Sequence, residues 1–445
     1  MERTLKEQTA KTQGANIKEL AAAIEPQLIA LRRDLHKHAE PAWTEFYTTA
    51  LLAKKLMSLG YEVELGEKVI RKDAMMGVPK AEVLRRQMEW ALAEGADPAL
   101  VAKMSGGMTG LVATLRHGEG PTVALRFDID SNDIHEAQDE KHRPYREGFA
   151  SINPEAMHAC GHDGHAAAGL GTATILRELK DHFSGTVKLI FQPGEEGSRG
   201  AAAMEAAGIL EGVDYIFGGH IGFQARQLGD FICGTREFLA TSKLDVTFSG
   251  RPAHAGSSPE EGRNALLAAA ACALNLHAIS RHGQGASRIN VGTLHAGQGR
   301  NIIPPNAVLQ LETRGVTSKI NEFMDEEARR IIQAAALMYG VDYKVELAGA
   351  TQSGESNLEM AELAGTIARE MGCFTNIAGI VSFGATEDFS HLMTGVQRRG
   401  GKGTYVMIGT DINADHHQFY FDFNESVIAR LSEFMARAAY SLLGK

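Results

Sequence analysis

Apolar residues recur at helical spacing near the start of the chain, where Ile17, Leu20, Ile24, Leu28, Leu31 and Leu35 mark one face of a helix over residues 17 to 38. TALLAKKLMSL, residues 49 to 59, repeats that period and predicts a second amphipathic helix. Further along the helical period gives way to short continuous apolar runs, TVALRF, TVKLIF, DYIFGG and TYVMIGT, each bounded by glycine, proline or charge. Runs of this kind are strands buried on both faces, so they predict a mostly parallel sheet covered by helices. Ligands of such sheets collect beyond the carboxyl ends of the strands. That rule puts Asp128, Glu195, Glu196 and His220 on one rim, each at or just past the end of its run.

Between about residues 241 and 347 the rhythm changes. Strand KLDVTFSG, helix GRNALLAAAACALNLHAI, strands SRINVGTLHAG and AVLQLETRGV, helix INEFMDEEARRIIQAAALMYG and strand VDYKVELAG follow one another. This βαββαβ order predicts a ferredoxin-like α+β domain, residues 241 to 347, inserted into an α/β domain made of residues 1 to 240 and 348 to 445. A further helical segment, AEVLRRQMEWALAEG, lies within residues 66 to 110 and has no role that its sequence discloses.

Composition narrows the partners. A chain of 445 residues exceeds what one core ordinarily supports, which fits two domains. Apolar and charged residues at 44% and 22% are ordinary globular usage and leave no room for a long disordered region. A net charge of -10 with no basic run lacks the field that attracts a phosphate backbone, so a small molecule is expected rather than nucleic acid. MERTLKEQTAKTQ is charged where a signal peptide is apolar, and no run of about 18 apolar residues is present to span a membrane. Those features imply a cytoplasmic protein without membrane contact. Cys160, Cys233, Cys272 and Cys373 are too scattered to staple the fold. The last three read as core packing; Cys160 stands apart because of its neighbours.

Those neighbours are MHACGHDGH, residues 157 to 165, where one thiol, three imidazoles and a carboxylate crowd together ahead of the helical run AAAGLGTATILREL. Metal binding or proton transfer calls for such crowding. Cys160 and His162 can aim at one point, and a thiolate can bridge two cations. The plainer reading is a helix start capped by Asp163 with the histidines merely solvated; within the metal reading, His158 and His165 take supporting or structural positions rather than ligand ones. QPGEEG, residues 192 to 197, puts two carboxylates side by side at a strand end. Their repulsion and lost solvation would be offset by a cation, and the glutamate left over could move a proton. An acidic helix start is the alternative for that pair, and spacing alone does not say which glutamate does what. His220 after VDYIFGG, and His416 and His417 after the last strand, are weak singly, yet together these loops supply about the ligand number of two metal ions.

Taken together, MHACGHDGH, QPGEEG, HIG, PAHAG and GRNIIP resemble the dinuclear metallopeptidases of the aminoacylase and carboxypeptidase type, peptidase family M20, over nearly the whole chain. The similarity is to its amidohydrolase branch, which includes hippurate hydrolases, N-acyl amino acid amidohydrolases and auxin-conjugate hydrolases. The resemblance implies a metallohydrolase domain holding two divalent ions, Mn2+ or Zn2+, beneath a lid and dimerisation domain. Cys160 would bridge, with His162 and Glu196 on one ion and His220 and His417 on the other. Glu195 would be the general acid/base, and Asp128 in LRFDID would orient a ligand loop. His254 in PAHAG, Asn301 in GRNIIP and Arg314 in ETRG would reach the substrate, His254 from across a dimer. Residues 66 to 110 and HRPYREGFAS, residues 142 to 151, most resemble the A subunits of aminobenzoyl-glutamate hydrolases. That implies hydrolysis of p-aminobenzoyl-glutamate or a related N-acyl amino acid, by a homodimer or a heterodimer with a related B subunit. A broader N-acyl amino acid amidohydrolase or dipeptidase, or a protein binding metal only to keep its shape, are the alternatives. Ser131, Asn132, Gly194, Gln418 and Phe419 depart from the usual family residues and bear on substrate choice rather than on the ligands.

Overall fold

The computed structural model describes the backbone of residues 2–444 and the side chains of residues 16–444. Two compact units emerge from the contacts within the chain. The first comprises Met1–Arg236, Glu355–Ser382 and His391–Lys445, and the second Glu237–Gly354 and Phe383–Ser390.

Eight strands make the sheet of the first unit: β1 (Glu62–Leu65), β2 (Leu111–His117), β3 (Thr122–Asp128), β4 (Gly185–Gln192), β5 (Tyr215–Ile221), β6 (Asp230–Arg236), β11 (Asn376–Ser382) and β12 (Lys402–Ile408). Their order is β1-β2-β4-β3-β5-β12-β6-β11. The four central strands, β4, β3, β5 and β12, run parallel, so their carboxyl ends share one rim. Asp128 there stands opposite Gln192, and His220 opposite Met407. The apolar runs seen in the sequence are these four strands, continuous because both faces are buried. β2 pairs antiparallel with β1 and β4, and β12 with β6.

Helices Glu2–Lys37, His162–Glu178 and Ser426–Leu443 contribute Leu28, Leu31, Leu35, Ala166, Ala173, Leu431 and Phe434 to one apolar core with Leu125, Phe127, Leu189 and Phe217 of the sheet. Small residues in HDGHAAAGLGTAT allow the close approach. A Cβ on Gly171 would lie 2.4 Å from Ser432 Oγ and 2.7 Å from Leu28 Cδ1.

The second unit holds β7 (Ala240–Ser249), β8 (Ser287–Ala296), β9 (Asn306–Gly315) and β10 (Asp342–Thr351), all antiparallel, in the order β10-β7-β9-β8. Side chains alternate buried and accessible along β9, as expected of a sheet covered on one face. Helices Ala265–His277 and Ser318–Tyr339 cover it through Ala268, Cys272, Leu276, Met324 and Ile332, packed with Val246, Phe248 and Leu309.

Residues 66 to 110 acquire a structural role in the first unit. Trp43 Nε1 donates to Met76 O at 2.7 Å, and Thr109 Oγ1 donates to Glu45 Oε2 at 2.6 Å. The other oxygen of Glu45 accepts from Gly194 N at 2.8 Å, so this segment braces the loop that carries Glu195 and Glu196.

Candidate metal centre

Each loop leaving the parallel rim delivers one part of a cluster. Gly161, with φ of 87°, turns the chain between Cys160 and the helix that opens at His162. Asp163 is therefore inside the first turn and is not the N-cap; its buried carboxylate takes Arg32 Nε at 2.7 Å and His36 Nδ1 at 2.8 Å. Those partners lie more than a hundred residues away in sequence, which the local pattern could not reveal. His417 adopts φ of 65°, which costs a non-glycine residue about 1–2 kcal/mol. Its backbone N–H donates to Ala159 O at 2.8 Å, tying the last loop to the Cys160 segment.

The donor atoms of Cys160, His162 and His220 lie within 4.8 Å of one another, as do those of Cys160, Glu196 and His417, and those of His162, Glu195 and Glu196. Cys160 is common to the first two groups. The two groups that include Cys160 set His162 beside His220 and Glu196 beside His417, and the third sets His162 beside Glu196, the pair that the resemblance puts on one ion.

Hydrogen bonds orient the ligand atoms. His220 Nδ1–H donates to Ile221 O at 2.7 Å, leaving the Nε2 lone pair 3.4 Å from Cys160 Sγ. His162 Nδ1–H donates to Asp130 O at 3.0 Å, and its Nε2 is buried without a hydrogen bond. Glu196 Oε1 is likewise buried without a hydrogen bond, and lies 3.2 Å from His417 Nε2 in ion-pair contact. Buried polar atoms seldom go unpaired, and atoms left so at one point fit a cation. The donor set, one thiol, three imidazoles and a carboxylate, suits two divalent ions.

Electrostatics within the cluster are mutual. Burial, reinforced by His165 and His416, pushes His220 well below the ordinary imidazole range. Burial also opposes charge on His162, yet Asp128 and Cys160 carry it well above its ordinary value. Cys160 and then Glu196 raise His417 to about 10, and against its burial Glu196 is drawn down to about 2 by His417 and His162.

Asp128 lies behind the cluster, its Oδ2 3.7 Å from His162 Nε2. Its Oδ2 accepts from Arg126 at 2.6 Å, and its Oδ1 pairs with His165 Nδ1, whose Nε2 accepts from Ile221 N at 2.9 Å. This chain of contacts fixes the helix start against β5. Asp130 is what holds the glutamate loop, since its carboxylate accepts from Glu195 N at 3.1 Å and from Glu196 N at 2.8 Å, and also contacts His162 Nδ1. Sequence reasoning passed over Asp130, although the D-x-D of LRFDID was the available signal. Glu45 was missed as well. Burial and then Asp130 push its carboxyl well above the usual range, so it stays protonated more readily while bridging Thr109 and Gly194. Asn132 Oδ1, which accepts from Ala159 N at 3.1 Å, steadies the Cys160 segment. His158 is buried with neither ring nitrogen paired, and burial lowers it to about 3.

The glutamate loop closes on itself, Gly194 O accepting from Arg199 N at 3.0 Å and Gly200 N at 2.9 Å. A Cβ on Gly200 would lie 1.7 Å from Pro193 O. Gly200→Ala is expected to destabilise the protein by about 3 kcal/mol, the upper end for overpacking. A thermal unfolding midpoint equal to that of the wild type would contradict it.

In the second unit the structure brings His254 and Asn301 together: His254 bridges to Ile302, and Asn301 O accepts from Ala255 N at 3.0 Å. Both are exposed, and His254 Nδ1 accepts from Gly256 N and Ser257 N at 3.1 Å. Arg314 lies on β9, apart from that loop pair, with Nε donating to Glu312 Oε1 at 2.8 Å.

Comparison with known proteins adds four findings. A family model described as peptidase family M20/M25/M40 matches residues 124–441. The A subunit of the p-aminobenzoyl-glutamate hydrolase of Escherichia coli (strain K12) is 45% identical over 426 residues, 95% of this chain and 98% of that protein. The indole-3-acetyl-aspartic acid hydrolase of Enterobacter agglomerans is 46% identical over 416 residues, 93% of this chain and 95% of the relative. Among solved structures, an aminobenzoyl-glutamate utilization protein from Klebsiella pneumoniae superposes with a TM-score of 0.84 at 39% identity, covering 96% of this chain and 98% of that one.

Proposed function

This chain belongs to peptidase family M20/M25/M40, and from that premise we propose that two divalent cations, held by Cys160, His162, Glu196, His220 and His417, let it hydrolyse p-aminobenzoyl-glutamate or a close aryl-acyl amino acid. Like its relatives it is a hydrolase of amide bonds. One observation carries the two-ion reading: Cys160 belongs both to a group with His162 and His220 and to a group with Glu196 and His417. His162 Nε2 and Glu196 Oε1, both buried without a hydrogen bond, support it.

When bound, the two cations supply Lewis acidity and make hydroxide accessible near neutral pH. The residues then divide the work. Glu195, beside Glu196 and within one donor group with His162, takes the proton from water and delivers it to the leaving nitrogen. Asp130 holds both glutamates by their backbone, so the acid/base carboxylate and the ligand carboxylate keep their spacing. Asp128 acts one step behind, fixing His165 and the helix start. From the second unit, acting as a lid and dimerisation domain, His254 would donate to the developing oxyanion in a partner's site, and Asn301 would reach the substrate. Arg314 takes the carboxylate of the released amino acid.

Thiolate ligation favours zinc, whereas the imidazole and carboxylate ligands also suit manganese. Because two relatives are named as the A subunit of a hydrolase or as its homologue, we assign the chain a related partner protein, a homodimer being the second arrangement. No helix among the described residues is long and apolar enough to cross a membrane. The indole-3-acetyl-aspartate relative supports a second reading, a broader aryl-acyl amino acid amidohydrolase.

The test is to purify the chain alone and with candidate partner proteins, measure bound metal, and screen p-aminobenzoyl-glutamate, indole-3-acetyl-aspartate, hippurate and acetylated amino acids. Preference for the first supports the leading reading, comparable rates on all support the broader one, and inertness of the metal-loaded protein on every substrate points to a non-catalytic role. Arg314→Ala should raise KM for substrates with a free carboxylate by about 10- to 100-fold, the range of a charge-assisted pair, while acting little on their esters or amides. Equal losses on both would make Arg314 structural.

A further inference from the structure

Glutamate and aspartate, the amino acids named in the two relatives' substrates, each carry two carboxylates, and the proposed function gives a partner to only one of them. A second cationic side chain would match the charge of the acidic side chain. Most arginines that pack deep in the first unit are already committed. Arg32 meets Asp163, Asp422 and Glu425, Arg33 meets Glu425, Arg126 meets Asp128, and Arg143 meets Asp422 and Glu425.

Arg199 is not. It lies three residues beyond Glu196, half-buried, and among the described residues its guanidinium makes no hydrogen bond and no ion pair. Its position is nevertheless defined. A Cβ on Gly197, the residue after Glu196, would lie 2.5 Å from Arg199 Nε and 3.1 Å from Cζ, so the guanidinium lies close against that glycine. Gly197 has φ of 86°, a conformation that a side chain would also resist. The loop between them is closed at Gly194 and by Ser198 N donating to Glu195 O at 2.7 Å, which holds Arg199 and the glutamate pair in one rigid turn. Asp133 feels Arg199 and Glu196 through space without pairing with Arg199, which places the guanidinium near the acidic cluster.

A half-buried guanidinium has lost part of its hydration, and nothing in the described protein replaces it. Its planar fork matches a carboxylate. We propose that Arg199 binds the side-chain carboxylate of the released amino acid and so selects acidic over neutral N-acyl amino acids, a role that rests on the function proposed above.

The experiment compares kcat and KM of the metal-loaded wild type, Arg199→Gln and Arg199→Lys on p-aminobenzoyl-glutamate and p-aminobenzoyl-alanine. Arg199→Gln should lower the glutamate-over-alanine preference by about 10- to 100-fold, the worth of a charge-assisted hydrogen bond, mainly through KM. Arg199→Lys should restore part of it. A preference unchanged in Arg199→Gln, with both substrates affected equally, would overturn the assignment. Should Arg199→Gln fail to fold, product inhibition of the wild type decides: glutamate should inhibit more strongly than alanine, and equal inhibition would overturn it. If the loaded wild type, with its partner protein, turned over no acyl amino acid at all, the proposed function would fall together with the role of Arg199.

Discussion

Replacing Glu195 with glutamine is expected to leave the fold and the bound metal intact while turnover falls by at least about 100-fold, and by up to about 10,000-fold. An amide nitrogen is a very poor leaving group until it is protonated, and the proton must come from a group that has just taken one from water. Glu195 shares a donor group with His162 and Glu196, yet it is absent from the two groups that meet at Cys160. Glutamine preserves its size and removes only the basic oxygen. Its backbone bond to Asp130 survives the substitution, so the loop stays in place. Metal content by elemental analysis, read beside kcat, checks the prediction. If turnover stays within a few-fold of wild type while Glu196→Gln abolishes it without metal loss, the two glutamates have exchanged roles.

Cys160→Ser is expected to remove metal and activity together. The sulfur is common to both donor groups, 3.4 Å from His220 Nε2, and a serine hydroxyl is far harder to ionise than a thiol. Loss of this atom should unseat both cations at once, and the fall in turnover should exceed the about 10–100-fold that loss of an outer hydrogen-bond partner typically costs. By contrast Asp163 and Asp128 lie behind the ligands, where changes would act through position. Unchanged metal content at full occupancy in Cys160→Ser would remove Cys160 from the ligand set.

How much of this could be read from the chain depends on how local each feature is. β3, β4, β5 and β12 are legible because burial on both faces leaves continuous apolar runs, and the alternation along β9 betrays a sheet with one covered face. The strands that the runs did not reveal lie toward the sheet edges. β11, NIAGIVS, is partly exposed at the margin, and β1 is only four residues long. The cluster residues announced themselves by crowding in MHACGHDGH and QPGEEG. Residues that act through distant partners did not. Asp130 reaches Glu195 across 65 positions, and Glu45 reaches Gly194 across 149, so no local pattern carries either contact. The pairing of ligands about Cys160 has the same origin, since it depends on how four separate loops fold over one rim. Residues 66 to 110 likewise take their meaning from distant partners, Met76 from Trp43 and Thr109 from Glu45, which connects them to the glutamate loop.

If two cations held around Cys160 make amide hydrolysis possible, a metal titration should show it. Protein stripped with a chelator is reloaded stepwise with Zn2+ or Mn2+, in the presence of its partner protein if it has one, while hydrolysis of p-aminobenzoyl-glutamate and bound metal are followed together. The stripped protein should show negligible rate, with full recovery as occupancy reaches two ions per chain. Hydrolysis at full rate by the metal-free protein would contradict it.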